Sequence, residues 1–461
     1  MMQIDVKNGY KGQTMSKITS SQYINNERRD YSLYVMTSRA ICAASDGLKA
    51  GGRRALWTAR SGAKFKTASL AGATMPIHPH AECTGAINTL AAPYGNNIPL
   101  FKGDGAFGTR MRPTSYGAAR YTSVTISKFT QDVLFADIEL VPLVENYDGS
   151  LMEPLHFIPL VPICLLNPSE GIAVGFASNI LPRSLDDIIE QQLTYLKKGK
   201  CDSDIAPRFT PTNQESTANT NPDKLAYVFK GIFVRKDAST GTITELPYGQ
   251  TYDAVITKLD GLMESGTVLD YIDRSKNLIS IEVKFKRGWL NGKEDDDVLK
   301  LLGLISSETE NLNILDFTGN NVWSARPGDI IKQFSDWRLS WYVKRYQRLL
   351  DINQVDLSRL YDIRLSIKHK ISSKIPTLSS RTSLKELLES IGVVNLDYIA
   401  DLGIYRFTEE ERVKNEKRIS EAEAMADEYR SIIASNDRQK TIYSTELKEI
   451  LQKYIKGNYT K

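Results

Sequence analysis

Two long helical patterns, separated by a compact segment, set the strongest limit on what this chain can fold into. Pro327 and Asp329 open the first, and its apolar positions run through Ile330, Phe334, Trp337, Trp341, Leu349, Leu360, Ile367 and Ile371 until Pro376 ends it. At about 45 residues it is several times longer than an ordinary globular helix, so it needs a partner along its length. The second pattern starts at Thr408, with Glu411 placed three residues later as in a capping box. It continues through Val413, Ile419, Ala422, Met425, Tyr429 and Ile432. Together they predict an antiparallel helical hairpin over residues 327–461, carrying a globular tip at 377–407.

The full chain of 461 residues is too long for one core. Residues 1–26 are polar and without periodicity, and read as an N-terminal arm. Residues 27–155 mix short helical patterns with Gly-rich turns, and Tyr121, Ser123 and Thr125 alternate with Thr122, Val124 and Ile126 as a strand does. Residues 156–326 read as α/β, with strands at 226–234, 241–246 and 278–285 rich in β-branched and aromatic residues. A polar Thr/Asn/Pro stretch at 208–223 reads as an exposed loop. The most apolar stretch, Phe157 to Leu166, is short and broken by Pro159 and Pro162, so no membrane span is expected. The N-terminus lacks an apolar signal core, which makes the cytoplasm the expected compartment. Cys42, Cys83, Cys164 and Cys201 lie far apart with no C-x-x-C pair, against a zinc site or a disulfide framework.

Net charge is only +4, but from Glu27 to Lys128 fourteen Lys/Arg face five Asp/Glu, which concentrates basic charge in the first third of the chain. Such a segment is the footprint of a polyanion-binding surface, although solvated basic faces are also common. Within it lies Arg120-Tyr121. A tyrosine hydroxyl can attack a phosphodiester and store the bond as phosphotyrosine. A phenol with a pKa near 10 is a poor nucleophile at neutral pH, and an adjacent cation favours the phenolate and the charge of the transition state. Among 22 tyrosines, however, an Arg-Tyr pair alone equally fits an ordinary packed residue.

The surroundings are more specific. Ser38-Arg39-Ala40, Asp46-Gly47-Leu48-Lys49, Arg53-Arg54 and His78-Pro79-His80 precede Gly105, Phe107, Gly108 and Arg110, and Ala118-Ala119-Arg120-Tyr121-Thr122 closes the series. Further on stand Pro159, Pro162, Asn167, Gly171-Ile172-Ala173-Val174-Gly175, Ile180 and Pro182, then Ile243-Thr244-Glu245-Leu246-Pro247, and a Leu402 to Glu411 segment. In this order the motifs resemble the breakage-reunion domain of type IIA DNA topoisomerases, the A-type part of gyrase and topoisomerase IV. In length the chain resembles the short A-type subunits of T-even-like bacteriophages, which end after the helical arm. That would place it in host cytoplasm.

The resemblance implies an α+β multidomain fold: a winged-helix cleavage domain over 27–155, an α/β tower over 156–326, and a coiled-coil arm with an exit-gate tip over 327–461. It implies Tyr121 as nucleophile, Arg120 and Arg39 at the scissile phosphate, and His80 at the cleaved strand with His78 supporting it. Lys49, Arg53, Arg54 and Arg110 would meet DNA backbone, and Ile180 would be a wedge between base pairs. Departures occur at Ala50-Gly51-Gly52, Ala81, Cys83, Lys102 and Ala106, where the family has other residues. Neither an ATP-binding loop nor the TOPRIM carboxylates that hold Mg²⁺ can be found. The resemblance therefore implies that a partner ATPase/TOPRIM subunit supplies Mg²⁺ and ATP, within a heterotetramer that acts on double-stranded DNA and dimerises through the exit gate. A non-enzymatic DNA-binding module on a helical dimeriser accounts for charge and helices, but not for the motif series.

Overall fold

A computed structural model describes residue 26 and residues 28–79, 83–202, 204–218 and 225–459. His80 and nearly all of the expected N-terminal arm (1–26) lie outside the described residues. Helix α1 (Arg29–Val35) runs directly into a wide π-helical turn, Met36–Ala40. Helices α2 (Ala50–Thr58), α3 (Thr67–Thr74) and α4 (Thr84–Ala91) then pack on a small antiparallel sheet. That sheet has β3 (Ser123–Ile126) at its centre, between β1 (Phe65–Lys66) and β2 (Phe101–Asp104), with Phe65 opposite Val124 and Phe101 opposite Ile126. Leu56, Leu70, Ile87, Phe101 and Val124 fill the space between helices and sheet. The expected alternation through Tyr121 begins only at Ser123, because Tyr121 occupies the turn that delivers the chain to the sheet.

Two hairpins follow, β4 (Leu143–Glu145) with β5 (Met152–Pro154), and β6 (Ser169–Ala173) with β7 (Phe176–Ile180). Helix α5 (Leu185–Lys198) buries Leu185, Ile188, Ile189, Gln192 and Leu196 along one face, the spacing of an amphipathic helix. The core under α2–α4 continues without a break through Phe157–Leu166 and α5 into Leu312, Ile314, Ile330 and Tyr342. The stretch 156–326 is therefore not one unit, since its two ends belong to the first core. Its middle forms a separate body with its own core of Ile243, Val255, Leu259, Ile281, Val283 and Phe285. One sheet of that body is β11 (Ile232–Arg235), β12 (Thr240–Glu245), β14 (Ile281–Phe285) and β13 (Val268–Asp273), in that spatial order. A second sheet runs β15 (Ile305–Thr309), β10 (Ala226–Lys230), β9 (Gln214–Ala218), β8 (Arg208–Phe209). The single strand expected at 226–234 is thus cut at Gly231 and shared between two sheets, and part of the expected 208–223 loop is strand.

The long helix α6 spans Pro327–Lys368 and pairs with α7 (Glu409–Ala434). The Asn353 amide donates to Ala422 O at 2.7 Å and the Asn415 amide donates to Leu360 O at 3.0 Å, which fixes an antiparallel register. Leu350, Leu357, Ile419, Ala422 and Ala426 form the seam, whereas Leu349, Val413 and Met425 of the expected stripes face outward. The first helix ends earlier than Pro376 because Lys370 turns left-handed (φ 53°) ahead of the tip. Thr408 caps α7 through its hydroxyl at 3.4 Å from Glu411 N, but the Glu411 carboxylate turns to Arg406 and Lys414 instead of closing the box. The last helix, α8 (Asn436–Ile455), leaves the arm and returns Tyr443, Leu447 and Ile450 to the first core. Arg345 joins Asp137 at 2.6 Å and Glu446 at 2.6 Å, bracing the root of the arm. Among the described residues no helix is long and apolar enough to cross a membrane.

The first core and the outer sheets are stitched by Arg183 and Glu310, both fully buried, in a two-pronged pair at 2.9 and 2.7 Å. Glu310 also accepts from Leu181 N, and the Arg183 Nε donates to Ile205 O. Removing one charge strands the other in a dry site. Glu310→Gln is expected to lower unfolding stability by about 3–5 kcal/mol, read as an earlier denaturant midpoint.

Candidate active site

Tyr121 is 71% exposed on the loop that leads into β3, although its neighbours Thr122 and Ser123 are buried. The loop is held from below. Thr67 N donates to Thr122 O at 3.1 Å, Ala68 N to Ala119 O at 3.2 Å, and the Thr67 and Thr122 hydroxyls meet at 2.7 Å. The start of α3 therefore grips both sides of Tyr121. On the other side Gly117 N donates to Ala106 O at 2.8 Å, and Phe107 is buried beneath. This is the use of the G-x-G-x-F-G segment: it supports the tyrosine loop. The Arg120 guanidinium stands over the Tyr121 ring, 4.9 Å from its centroid, and Lys66 Nζ reaches Tyr121 O at 3.4 Å. The tyrosine is thus exposed, with a guanidinium over its ring and an ammonium at its backbone carbonyl, on a loop pinned on both sides.

A second group lies around the π-helical turn. Arg39 is exposed at its last turn, with its guanidinium 5.6 Å from the centroid of the Tyr34 ring. The Tyr34 hydroxyl is 3.1 Å from His78 Nε2, and His78 is buried, with Tyr147 edge-on to it at 5.6 Å. Arg39 and His78 are thus joined through Tyr34, a residue that sequence reasoning misses because nothing in its spacing marks it. Arg39, Lys49 and Ile172 line one open cleft of about 780 Å³.

The D-G-L-K motif proves to be a structural hub. Asp46 is fully buried and accepts from Leu48 N at 3.1 Å, Phe157 N at 3.0 Å, and Arg53 at 2.6 and 2.9 Å. Gly47 is left-handed (φ 68°) and a side chain there would collide with the backbone of Ile163 and Cys164. Lys49 then starts α2, and its ammonium donates to Glu170 O at 2.5 Å. Burial pulls the Lys49 pKa below its ordinary value, with Cys42 and Glu170 opposing the shift.

Several expected DNA contacts need correction. Arg53 is spent on Asp46, and Arg54 pairs with Glu153 at 2.5 Å, both side chains being largely buried. Arg110 pairs with Glu245 of the I-T-E-L-P segment, so two distant motifs exist to hold each other. These three arginines stiffen the platform, because a carboxylate already satisfies each of them. Ile180 is fully buried at the end of β7 and cannot insert between bases. On the same hairpin it is Ile172 that is 88% exposed. Among the described residues of 28–128, Arg28, Arg39, Lys49, Arg60, Lys66, Lys102 and Arg120 carry positive charge without a carboxylate within ion-pair distance. Of these, Arg39 and Lys49 line the cleft beside Ile172, and Lys66 and Arg120 stand at Tyr121.

The family model described as the A subunit of DNA gyrase/topoisomerase IV matches residues 39–448, nearly the whole chain. The chain belongs to that family. Similar relatives include the DNA topoisomerase medium subunit of Enterobacteria phage T4, 27% identical over 93% of this chain and 97% of the relative. The DNA gyrase A subunit of Mycolicibacterium smegmatis is 27% identical over 92% of this chain, and the DNA topoisomerase 4 A subunit of Escherichia coli K12 is 24% identical over 95%. This member of the gyrase/topoisomerase IV family spans 55% and 62% of those two bacterial relatives. Tyr121, Arg120, Arg39, Lys49 and Ile172 all lie within the matched range.

Among the described residues of this family member, no three His, Cys, Asp or Glu side chains are grouped to hold a metal ion. The hub can be tested directly. Asp46→Asn leaves Arg53 unpaired in a buried setting and is expected to cost about 3 kcal/mol of stability by denaturant titration. Asp104→Asn, which breaks the exposed Lys64 pair, is expected to change it by less than about 1 kcal/mol.

Proposed function

We propose that this chain is the strand-cleaving and rejoining subunit of a type II DNA topoisomerase complex, with Tyr121 as its nucleophile. The Tyr121 oxygen attacks a backbone phosphorus, the bond to the 3′ oxygen breaks, and that oxygen leaves as a hydroxyl. The 5′ end stays on the protein as a phosphotyrosine. Attack by the same 3′ hydroxyl reverses the step, so bond energy is conserved and sealing needs no ATP. The observation that carries this reading is the exposed Tyr121 on its pinned loop, with Arg120 across its ring. Arg120 stabilises charge on the phosphate under attack, and Arg39 and Lys49 hold the backbone beside it.

The three helices on a small sheet fit a winged-helix module, the two-sheet body a tower, and the helix pair a coiled-coil arm. Val394, Ile404 and Tyr405, exposed at the arm's tip, fit the contact between two copies at an exit gate. Ile172 takes the wedge role, since an apolar tip on a rigid hairpin exchanges base stacking for a bent duplex. In this reading Mg²⁺ and ATP are bound by a partner ATPase/TOPRIM subunit, and two such pairs cut opposite strands and pass a second duplex through the gap.

The test is to combine the chain with its partner subunit, Mg²⁺ and end-labelled duplex, and to denature with detergent. Protein-linked DNA is expected with wild type and is expected to vanish with Tyr121→Phe. Undiminished linkage in Tyr121→Phe, or no linkage by wild type despite binding, contradicts the proposal. Ile172→Ala is expected to reduce linkage several-fold without changing stability. Ile180→Val is expected to lower stability by about 1 kcal/mol and leave cleavage of the folded protein intact.

A further inference from the structure

Arg39 poses a positioning problem. It sits at the exposed end of a π-helical turn, with no carboxylate within ion-pair distance among the described residues and its guanidinium over the Tyr34 ring, 5.6 Å from the centroid. A long guanidinium side chain left free in solvent samples many rotamers, and a catalytic contact made from such a population is slow to form. The ring that receives it is itself fixed. The Tyr34 hydroxyl meets His78 Nε2 at 3.1 Å, and the two rings lie within 20° of parallel with centroids 6.5 Å apart. His78 is edge-on to Tyr147 at 5.6 Å. The next residue back, Asn146, is buried and its amide donates to Pro76 O and Ile77 O, both at 3.3 Å, which ties the β4–β5 turn to the loop carrying His78.

We infer that Tyr34 is a positioning residue for Arg39, its ring carrying the guanidinium and its hydroxyl locked by His78, so that the arginine is oriented before DNA arrives. This rests on the proposed strand-cleavage reading. A cation on an aromatic face is a modest interaction, and its loss corresponds to a rate change of about three- to thirty-fold. Tyr34 acts through Arg39 and touches no reacting atom.

The experiment uses the full chain together with its partner ATPase/TOPRIM subunit, Mg²⁺ and duplex DNA. It compares single-turnover formation of protein-linked DNA in Tyr34→Leu, Tyr34→Phe, Arg39→Ala and Tyr34→Leu/Arg39→Ala. Expected are a three- to thirty-fold slower rate for Tyr34→Leu, a smaller loss for Tyr34→Phe, which keeps the ring, and no further loss on adding Tyr34→Leu to Arg39→Ala. Tyr34→Leu and Tyr34→Phe both lose the hydrogen bond to buried His78 and are expected to lower the melting temperature alike, so the difference between their rates reports the ring. Additive losses in the double variant, or equal losses in Leu and Phe variants, overturn the inference. A readout without cleavage accompanies it. Modification of Arg39 by phenylglyoxal, followed by peptide mass, is expected to quicken several-fold in Tyr34→Leu, and an unchanged rate contradicts the inference. If wild type forms no linked DNA, the strand-cleavage reading fails, while the modification rate still decides whether Tyr34 holds Arg39.

Discussion

Asp46 is the constraint on which the site depends. A carboxylate taken wholly out of water is costly unless every lone pair finds a donor, and Asp46 finds them in Leu48 N, Phe157 N and the Arg53 guanidinium. Meeting those donors fixes three things at once: the left-handed turn at Gly47, the first residue of α2, and the position of the 156–166 segment behind it. Lys49 emerges from that turn aimed at Glu170 O, which ties α2 to the hairpin bearing Ile172. The hairpin is set against the Arg39 turn as well, because a side chain at Gly171 would collide with the Ala40 carbonyl. One buried charge thus orients Arg39, Lys49 and Ile172 together.

The basic segment divides into two populations with different work. Arg53, Arg54 and Arg110 are held by Asp46, Glu153 and Glu245, and their charge is largely neutralised inside the fold. Arg39, Lys49, Lys66, Lys102 and Arg120 are among those that keep theirs. A count of cations therefore overstates the field offered to DNA, and the residues that remain unpaired include those beside Tyr121 and along the Ile172 cleft. The same sorting accounts for rigidity: the paired arginines cross-link α2, the β4–β5 hairpin and the outer sheets, so the free cations project from a frame that does not yield.

Much of this is legible in the sequence, for identifiable reasons. The helical arm follows from apolar spacing alone, and the exposed tyrosine from its place in a motif series whose order is hard to reach by chance. Periodicity does not report where a helix changes partners. The stripe of α6 puts Leu349 inside, but the helix turns from the first core to α7 near that point and buries Leu350 instead. The last helix, α8, reads as part of the arm since its pattern is amphipathic whichever surface receives it. Arg53, Arg54 and Arg110 read as DNA ligands because a sequence displays charge but not the carboxylate that answers it. Ile180 and Ile172 stand eight positions apart in one motif, and only the hairpin's geometry distinguishes the buried residue from the exposed one. Tyr34 carries no signal in its spacing, as its role depends on a contact with a loop more than forty residues away.

The central claim is that Tyr121, and no other of the chain's tyrosines, takes the DNA strand. The most direct measurement is to trap the covalent complex, digest the DNA to a short remnant, cleave the protein with trypsin, and locate the nucleotide-bearing peptide by mass. Cleavage after Arg120 and Lys128 makes the expected peptide residues 121–128, with the added mass on Tyr121 through a 5′ phosphate. A remnant on any other tyrosine, or one joined through a 3′ phosphate, would contradict the account.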